Sequence, residues 1–391
     1  MEKLKRLMKN KKIEDNECCP CGSGNKFAVC CKGKPLKVIA TSKKPVDVQI
    51  MEKMRSAMKN CCMHPDQAHC KGKIKAAHAL QNNKIISLLA GTDRHVYMMN
   101  AKKKPLLMPM PNGEVIPIVE LSKTSANDAT TETCFCDLHD NIAFAVIEKG
   151  APDFDETSEE MKFIYAYKAF VFEYYKQKLV LDIFKSNFKE NPTAFLSADM
   201  VGMYRMLKLK EQEFEPIKLH FDKQIIAGTY DGVVTCAIKI SEQIKFADYA
   251  YVAPDYDMNG KKIKHTVKGI MHRVAITIFP EVNQSWLLVS CLKSEQYIYE
   301  NLFQQLKAAS LSKLKFYVNL MLPLYSENMV LSTELWKSWD EEVQMAYTYY
   351  ANLKGKDAVV MGKGIGFGLK NATRSKSDDV YKISPKINLF M

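Results

Sequence analysis

No stretch of this 391-residue chain approaches 18 consecutive apolar residues, which excludes a simple membrane-spanning helix and membrane insertion. The basic N-terminus, Met1 to Lys12, lacks the apolar stretch of a secretory leader, so the protein is expected to stay in the cytoplasm. There is no Walker sequence and no helicase signature. His220, His265 and His272 stand isolated, and no Ser-His-Asp arrangement can be read. Cysteine is nearly missing from the C-terminal two thirds, since ten of the twelve lie before position 137. In the N-terminal quarter lysine dominates over arginine, which does not favour bidentate recognition of bases.

What is present is globular in character, with 47% apolar and 26% charged residues. The length calls for two or three domains. The formal charge of +12 is uneven. Residues 1–110 hold 23 Lys/Arg against 8 Asp/Glu, whereas 111–160 holds 2 against 12. A basic N-terminal quarter suits nucleic acid, ribosome or an acidic protein surface, and equally a solvated lysine face. Five of the eight histidines fall between His64 and His139, amid the cysteines. In a reducing compartment such crowding suits zinc better than disulfides.

Residues 19–31 read Cys-Pro-Cys-Gly-Ser-Gly-Asn-Lys-Phe-Ala-Val-Cys-Cys. Cys19, Cys21, Cys30 and Cys31 are the candidate ligands. A Cys-x-Cys pair closes on a metal only through tight turns, which Gly22 and Gly24 permit. Four thiolates leave no open position, so the expected role is structural, with zinc supplying most of the folding energy of so small a module. The stretch resembles the SEC-C motif, named for the zinc-binding tail of the SecA translocation ATPase. It departs at Asn25, where a lysine is usual, and keeps the basic–aromatic pair Lys26-Phe27. The resemblance implies docking onto protein partners or ribosomes. Cys18 is an extra thiol beside the ligands. The prolines at 35 and 45 argue for a basic linker over 34–50 that tethers the module.

A second cluster is looser. Cys61, Cys62, His64, His69 and Cys70 follow an expected helix, Val48 to Lys59. His78 lies in a strand-like stretch before a helical run, Asn82 to Ala90. Much later, Cys136-x-x-His139 opens an amphipathic helix expected to reach Glu148, with Leu138, Ile142, Ala145 and Val146 inward. A second zinc assembled from Cys62, Cys70, Cys136 and His139 uses a ligand pair nearly one helical turn apart. Cys61, His69 and His78 remain alternatives, and several of these thiols can equally be buried and free. Strands are expected at Val96–Met99, Leu106–Met108 and Val115–Val119.

This order resembles a divergent HNH or treble-clef domain. It also resembles a recurrent bacterial block, often found with SEC-C, that carries Ala-His-x-x-Gln and Cys-x-x-His-Asp. The HNH resemblance implies His78 as general base and Asp140 or Asn141 as metal ligand, with Mg or Mn as the catalytic ion beside two structural zinc ions. The chain departs from the HNH pattern in the seven-residue gap of its first ligand pair and in Ala77, where an acidic residue is usual.

The remainder reads as scaffold. Helices are expected at Glu159–Ser186 and Ala198–Glu213, with Phe163, Tyr167, Phe170 and Tyr174 as core. From Ile217 the period changes to two, giving strands at Val233–Ile240, Phe246–Val252, Val274–Pro280 and Trp286–Cys291 in an antiparallel sheet with one face covered by helices. Further helices are expected at Ser294–Ala308, Leu314–Met321 and Ser332–Ala351, the last with Trp336 and Trp339 on one side. The glycine-rich run Gly362–Gly368 reads as a turn, not a phosphate loop. The expected fold is α+β: N-terminal zinc modules, long helices, and an antiparallel sheet packed on helices. Its segments are 1–33, 34–50, 51–155, 156–215, 216–293 and 294–391. The functional expectation is a zinc-binding protein that binds or cleaves nucleic acid, as an HNH-like nuclease of a bacterial defence type. The alternative is a protein- or ribosome-binding adaptor whose two zinc sites are structural.

Overall fold

The structure is a computed structural model and describes residues 10–34, 61–99, 106–109, 115–148, 150–353, 355–375, 378–382 and 386–391. The expected helix Val48–Lys59 and all but Lys34 of the linker 34–50 lie outside the described residues.

The N-terminal part holds one helical turn, α1 (Phe27–Cys30), and then strands β1 (Ile74–His78), β2 (His95–Met99), β3 (Leu106–Pro109), β4 (Val115–Ile118), β5 (Leu121–Ser125) and β6 (Thr131–Cys136). A short helix α2 (Asp137–Ala143) follows β6 directly. It stops well before Glu148, and Ile142, 54% exposed, and Ala145 face outward where the sequence suggests inward. Two long helices come next, α3 (Glu159–Glu190) and α4 (Ala198–Ala227), each capped by a serine hydroxyl that accepts from a first-turn amide. Strands β7 (Val233–Ile240), β8 (Phe246–Val252), β9 (Thr266–Val267), β10 (Ile270–Met271), β11 (Val274–Pro280) and β12 (Ser285–Leu292) lead to helices α5 (Gln296–Ala308) and α6 (Leu311–Tyr325). Strand β13 (Val330–Ser332) and helices α7 (Thr333–Ser338), α8 (Glu341–Asn352) and α9 (Gly355–Arg374) complete the chain. The fold is α+β.

Helix α4 runs on through Pro216 to Ala227, where the sequence suggests period-two strand from Ile217. An interior proline costs about 3 kcal/mol. Phe214, Ile217 and Phe221 are buried at helical spacing, and the Phe214 and Phe221 rings lie 5.8 and 5.2 Å from Phe170 of α3. Burying two or three such side chains at roughly 1.5–3 kcal/mol each outweighs the proline. The single helix expected over Ser332–Ala351 is two helices, because Asp340 caps α8 by accepting from the Val343 amide.

Seven strands form one antiparallel sheet in the order β5-β2-β13-β8-β11-β12-β7. Both faces are covered, not one. Tyr249, Tyr251, Ala275 and Leu288 join the core of α3 and α4, while Phe246, Val274, Leu287 and Val289 pack with Tyr299 of α5, Leu314 of α6 and Leu369 of α9. This explains the nearly unbroken burial of β8 and β12. The sheet draws strands from three segments far apart in sequence, and three-residue β13 joins them, pairing Val330 with both Met98 and Ala247. Among the described residues no helix is long and apolar enough to cross a membrane.

The glycine run is not a turn but lies within α9. A Cβ on Gly366 would stand 2.5 Å from the Tyr256 ring, and one on Gly260 would stand 2.3 Å from the Gly366 carbonyl. The loop therefore packs directly on helix backbone. Alanine normally stabilises a helix interior by about 1 kcal/mol over glycine. Here the clash reverses the sign: Gly366→Ala is expected to lower stability by roughly 1–3 kcal/mol, read as a reduced midpoint in urea unfolding.

Candidate metal centres

The Sγ atoms of Cys19, Cys21, Cys30 and Cys31 all lie within 4.8 Å of one another. Gly22 and Gly24 both adopt φ of +79°, the left-handed turns that fold the first pair inward. The Cys19 amide donates to the Asn25 carbonyl at 2.7 Å, closing the knuckle, and α1 returns the second pair. A tetrahedral zinc with ~2.3 Å bonds to sulfur implies S···S edges of ~3.8 Å. The observed edges are 3.6 Å for Cys21–Cys30 and 3.8 Å for Cys30–Cys31. The donor set and spacing fit a zinc ion. Without metal, burial raises the Cys19 thiol well above its usual range. Burial opposes ionisation of Cys21 too, but bonds from the Ser23 hydroxyl and amide outweigh it and leave the thiol at about 6.

The module is seated, not loosely tethered. Phe27 packs with Phe184 and Phe188 of α3. Arg205 of α4, only 4% exposed, holds Glu17 through both guanidinium nitrogens at 2.9 and 3.0 Å and donates to the Asn10 and Lys12 carbonyls. Arg205→Lys cannot reproduce this fork. Arg205→Ala leaves the partly buried Glu17 carboxylate with only the Glu14 amide as partner, at a cost of about 1–3 kcal/mol in docking. The expected readout is hydrogen-exchange protection lost in residues 10–34 and retained in the sheet.

Cys62, Cys70, Cys136 and His139 form the second group, again within 4.8 Å. The imidazole presents Nδ1, at 3.4, 3.5 and 3.3 Å from the three sulfurs. Zinc bonds of ~2.3 Å to sulfur and ~2.0 Å to nitrogen give S···N edges of ~3.5 Å, so this site fits zinc as well. Local structure brings the ligands together. The β1–β6 pair sets Ile74 opposite Cys136, and α2 begins at Asp137, two residues before His139. Gly72 (φ +78°) lets the loop after Cys70 pass Asp137, where any side chain would collide. Burial and the neighbouring thiols push Cys70 up to about 12. Burial also opposes ionisation of Cys136, but the His139 and Lys71 backbones hold it below the usual thiol value.

The remaining candidates are sorted by geometry. His64 is not in the tetrad: its ring stacks on His139 at 3.9 Å and 13°, and its Nδ1 accepts from the Asp66 amide. Burial, then the nearby His139, lowers it to about 4, so it is neutral. Its role as a lid on the ligand imidazole has no signal in the sequence beyond its place two residues after Cys62. His69 is exposed and faces Asp66 at 2.8 Å. Cys134 is a buried core thiol.

His78 ends β1 opposite Thr131, four residues and roughly 13 Å along the strand from Ile74, the residue opposite Cys136. Its Nε2 is buried with no hydrogen-bond partner, and burial followed by the charge of Lys168 lowers its pKa. Asp140 and Asn141 do come together on α2, but around an ammonium: Lys75 Nζ lies 2.9 Å from Asp140 and 3.4 Å from Asn141 Oδ1. A cavity of about 490 Å³ opens between the Cys61–Gln67 loop and helices α3 and α4. Its charged lining is mixed, with Lys178 and Lys218 against Asp182, Glu215 and Asp222. No family model matches the chain, and no curated protein and no solved structure matches it.

Proposed function

We propose that this chain is a two-zinc interaction adaptor in which both metals are structural and the N-terminal module presents a surface to the ribosome. The donor sets carry this reading: each tetrad is completed by four sulfur or nitrogen donors, which leaves no position for a water or substrate. The mixed charge of the cleft beside the second tetrad also disfavours a phosphate backbone, which would meet three carboxylates there. The module, which resembles SEC-C, spends Phe27 on its own scaffold but turns Val29, 81% exposed, and Lys26 outward. An apolar contact rimmed by lysine suits an acidic, RNA-bearing partner. The reading places the protein in a reducing compartment such as the cytoplasm, where the thiolates stay available to metal.

One observation favours a second reading, the HNH-like nuclease. The unpartnered, neutral Nε2 of His78 is what a general base presents, and Asp140 and Asn141 would hold Mg or Mn once Lys75 moved aside. One pair of assays separates the two. Zinc-loaded protein should co-sediment with purified ribosomes, and Val29→Glu should abolish this at unchanged zinc content. Cleavage of DNA or RNA with Mg or Mn that vanishes in His78→Ala, zinc content unchanged, would replace the adaptor with the nuclease.

A further inference from the structure

Helix α9 packs on the face of the sheet opposite α3 and α4, so it lies away from both tetrads. Lys363, Gly364, Phe367, Lys370 and Arg374 are all exposed, and their spacing of three or four residues puts them on one side of the helix. The loop after β8 lies directly against them: a Cβ on Gly260 would stand 2.5 Å from the Lys370 amide nitrogen. Buried Asp257 accepts from the Asn259 and Lys261 amides and so fixes this turn, which exposes Lys261, Lys262 and Lys264 and buries Ile263. Residues 258–272 hold four Lys and residues 358–375 hold two Lys and one Arg, with no Asp or Glu in either segment. None of these cations has an ion-pair partner among the described residues. Asp255, at the start of the loop, is already engaged by the Tyr325 hydroxyl at 2.7 Å and by His265 at 3.2 Å. Phe367 stands among the cations and is 67% exposed. The glycines around it are of two kinds. Gly366 is required by the Tyr256 ring and Gly260 packed on it, but a Cβ on Gly364 or Gly368 would meet nothing within 4 Å. These two weaken the helix relative to alanine, and packing explains neither. Helical side chains lean over the preceding turn, so Phe367 lies towards Lys363 and Gly364, and the missing side chain at 364 leaves room beside the ring.

We propose that this surface binds an unpaired polynucleotide strand, with its phosphates along the cations of α9 and the loop and one base stacked on Phe367. From Lys363 to Arg374 the stripe is about 17 Å long, the length of about five stacked nucleotides. Lysine supplies charge without base-specific geometry, and a phenyl ring stacks on any base, so the surface reads a single strand and not a sequence. A duplex keeps its base faces inside the stack and cannot use Phe367. A membrane surface fits less well. The exposed large apolar side chains described on α9 are Val359, Val360 and Phe367, and Lys363 and Gly364 interrupt them, so lipid is offered no continuous apolar face. The inference stands apart from the adaptor reading, because it uses no residue of the N-terminal module and neither metal site.

The test is fluorescence anisotropy of labelled oligouridylate and oligothymidylate, each of about 15 nucleotides, titrated with full-length, zinc-loaded protein. One or both strands should bind saturably. An unlabelled duplex of the same length and phosphatidylserine vesicles should compete poorly for the site. Phe367→Ala should weaken binding about tenfold. Lys370→Ala should lower the slope of log K against log salt by about 0.7, the share of one single-strand phosphate. Both side chains are exposed, so neither variant should move the unfolding midpoint. Lys223→Ala removes an equal charge from an exposed position on α4 and should leave affinity and slope unchanged. The proposal is overturned if neither strand binds, if the duplex or the vesicles compete as well as the unlabelled strand, if Phe367→Ala binds unchanged, or if Lys223→Ala lowers the slope as far as Lys370→Ala does.

Discussion

Replacing Cys136 with serine should reduce the zinc content from two ions per chain to one and melt the region built on β1, β6 and α2. Structural zinc contributes about 10–16 kcal/mol to the folding of small zinc peptides, which matches or exceeds the roughly 5–15 kcal/mol net stability of an entire domain. The loss should spread, because the core of this region is continuous with the aromatic core of α3. Phe135, adjacent to the ligand, packs edge-on against Phe144 at 5.0 Å. Cys134→Ala is the matched control. Its thiol is buried in the same strand but is not a ligand, so it should keep both zinc ions and lose on the order of 1 kcal/mol. Metal analysis with far-ultraviolet circular dichroism reads both variants. A Cys136→Ser protein that still holds two zinc ions would remove the assignment of the second tetrad.

Stability should also fall as pH rises from about 4 to about 7, and Asp248→Asn should remove that part of the slope. Asp248 sits on β8 with no exposed surface. Its Oδ1 accepts from the Ser326 hydroxyl, and its Oδ2 has no partner. Burial pushes the carboxyl up to about 7, with bonds from Ser326 and the Tyr249 backbone and the charge of Lys176 opposing, and Glu173 adding to the rise. Tyr347 of α8 is near enough to feel its charge. The sign follows from proton binding. Between pH 4 and 7 the folded chain keeps a proton that the unfolded chain has released, so raising the pH favours unfolding, and above 7 the slope from this group vanishes. A shift of this size corresponds to about 4 kcal/mol, as an order of magnitude. The location makes the effect structural. Ser326 and Asn328 lead directly into β13, and Asn328 donates to Glu173 and to the Tyr249 carbonyl, so an ionised Asp248 strains the strand that joins the two parts of the sheet. Urea unfolding at several pH values, native against Asp248→Asn, reads the difference. Parallel slopes for the two proteins would show that Asp248 is not the group.

Much of the architecture was legible because it rests on local pattern. Strands β7, β8 and β11 fall where alternation puts them, and α3 starts where Ser158 caps a run of core aromatics. Misreadings arose where a local signal was overridden by packing. Pro216 and the glycines of α9 look like breakers in one dimension, but the partners that make them tolerable, Phe170 and Tyr256, are far away in the chain. The two-sided burial of the sheet was hidden for the same reason, since the covering helices come both before and after it. The docking of the N-terminal module depends on Arg205, a residue with nothing in its neighbourhood to mark it.

By itself the sequence pointed to the two groups of donors, because metal chemistry demands particular donors and the glycines that allow their turns are written beside them, but it left Cys61, His69 and His78 open as alternatives for the second. It also determined the α+β class, through two distinct periodicities. Tertiary structure alone decided which imidazole nitrogen faces the sulfurs, that His64 covers the ligand ring without joining it, and that Lys75 lies between Asp140 and Asn141. It alone decided that Gln81 and Asp248 each keep an oxygen without a partner. Ligand spacing is a property of neighbours along the chain, whereas an unmet hydrogen bond or a buried charge is defined only by what the fold brings around it.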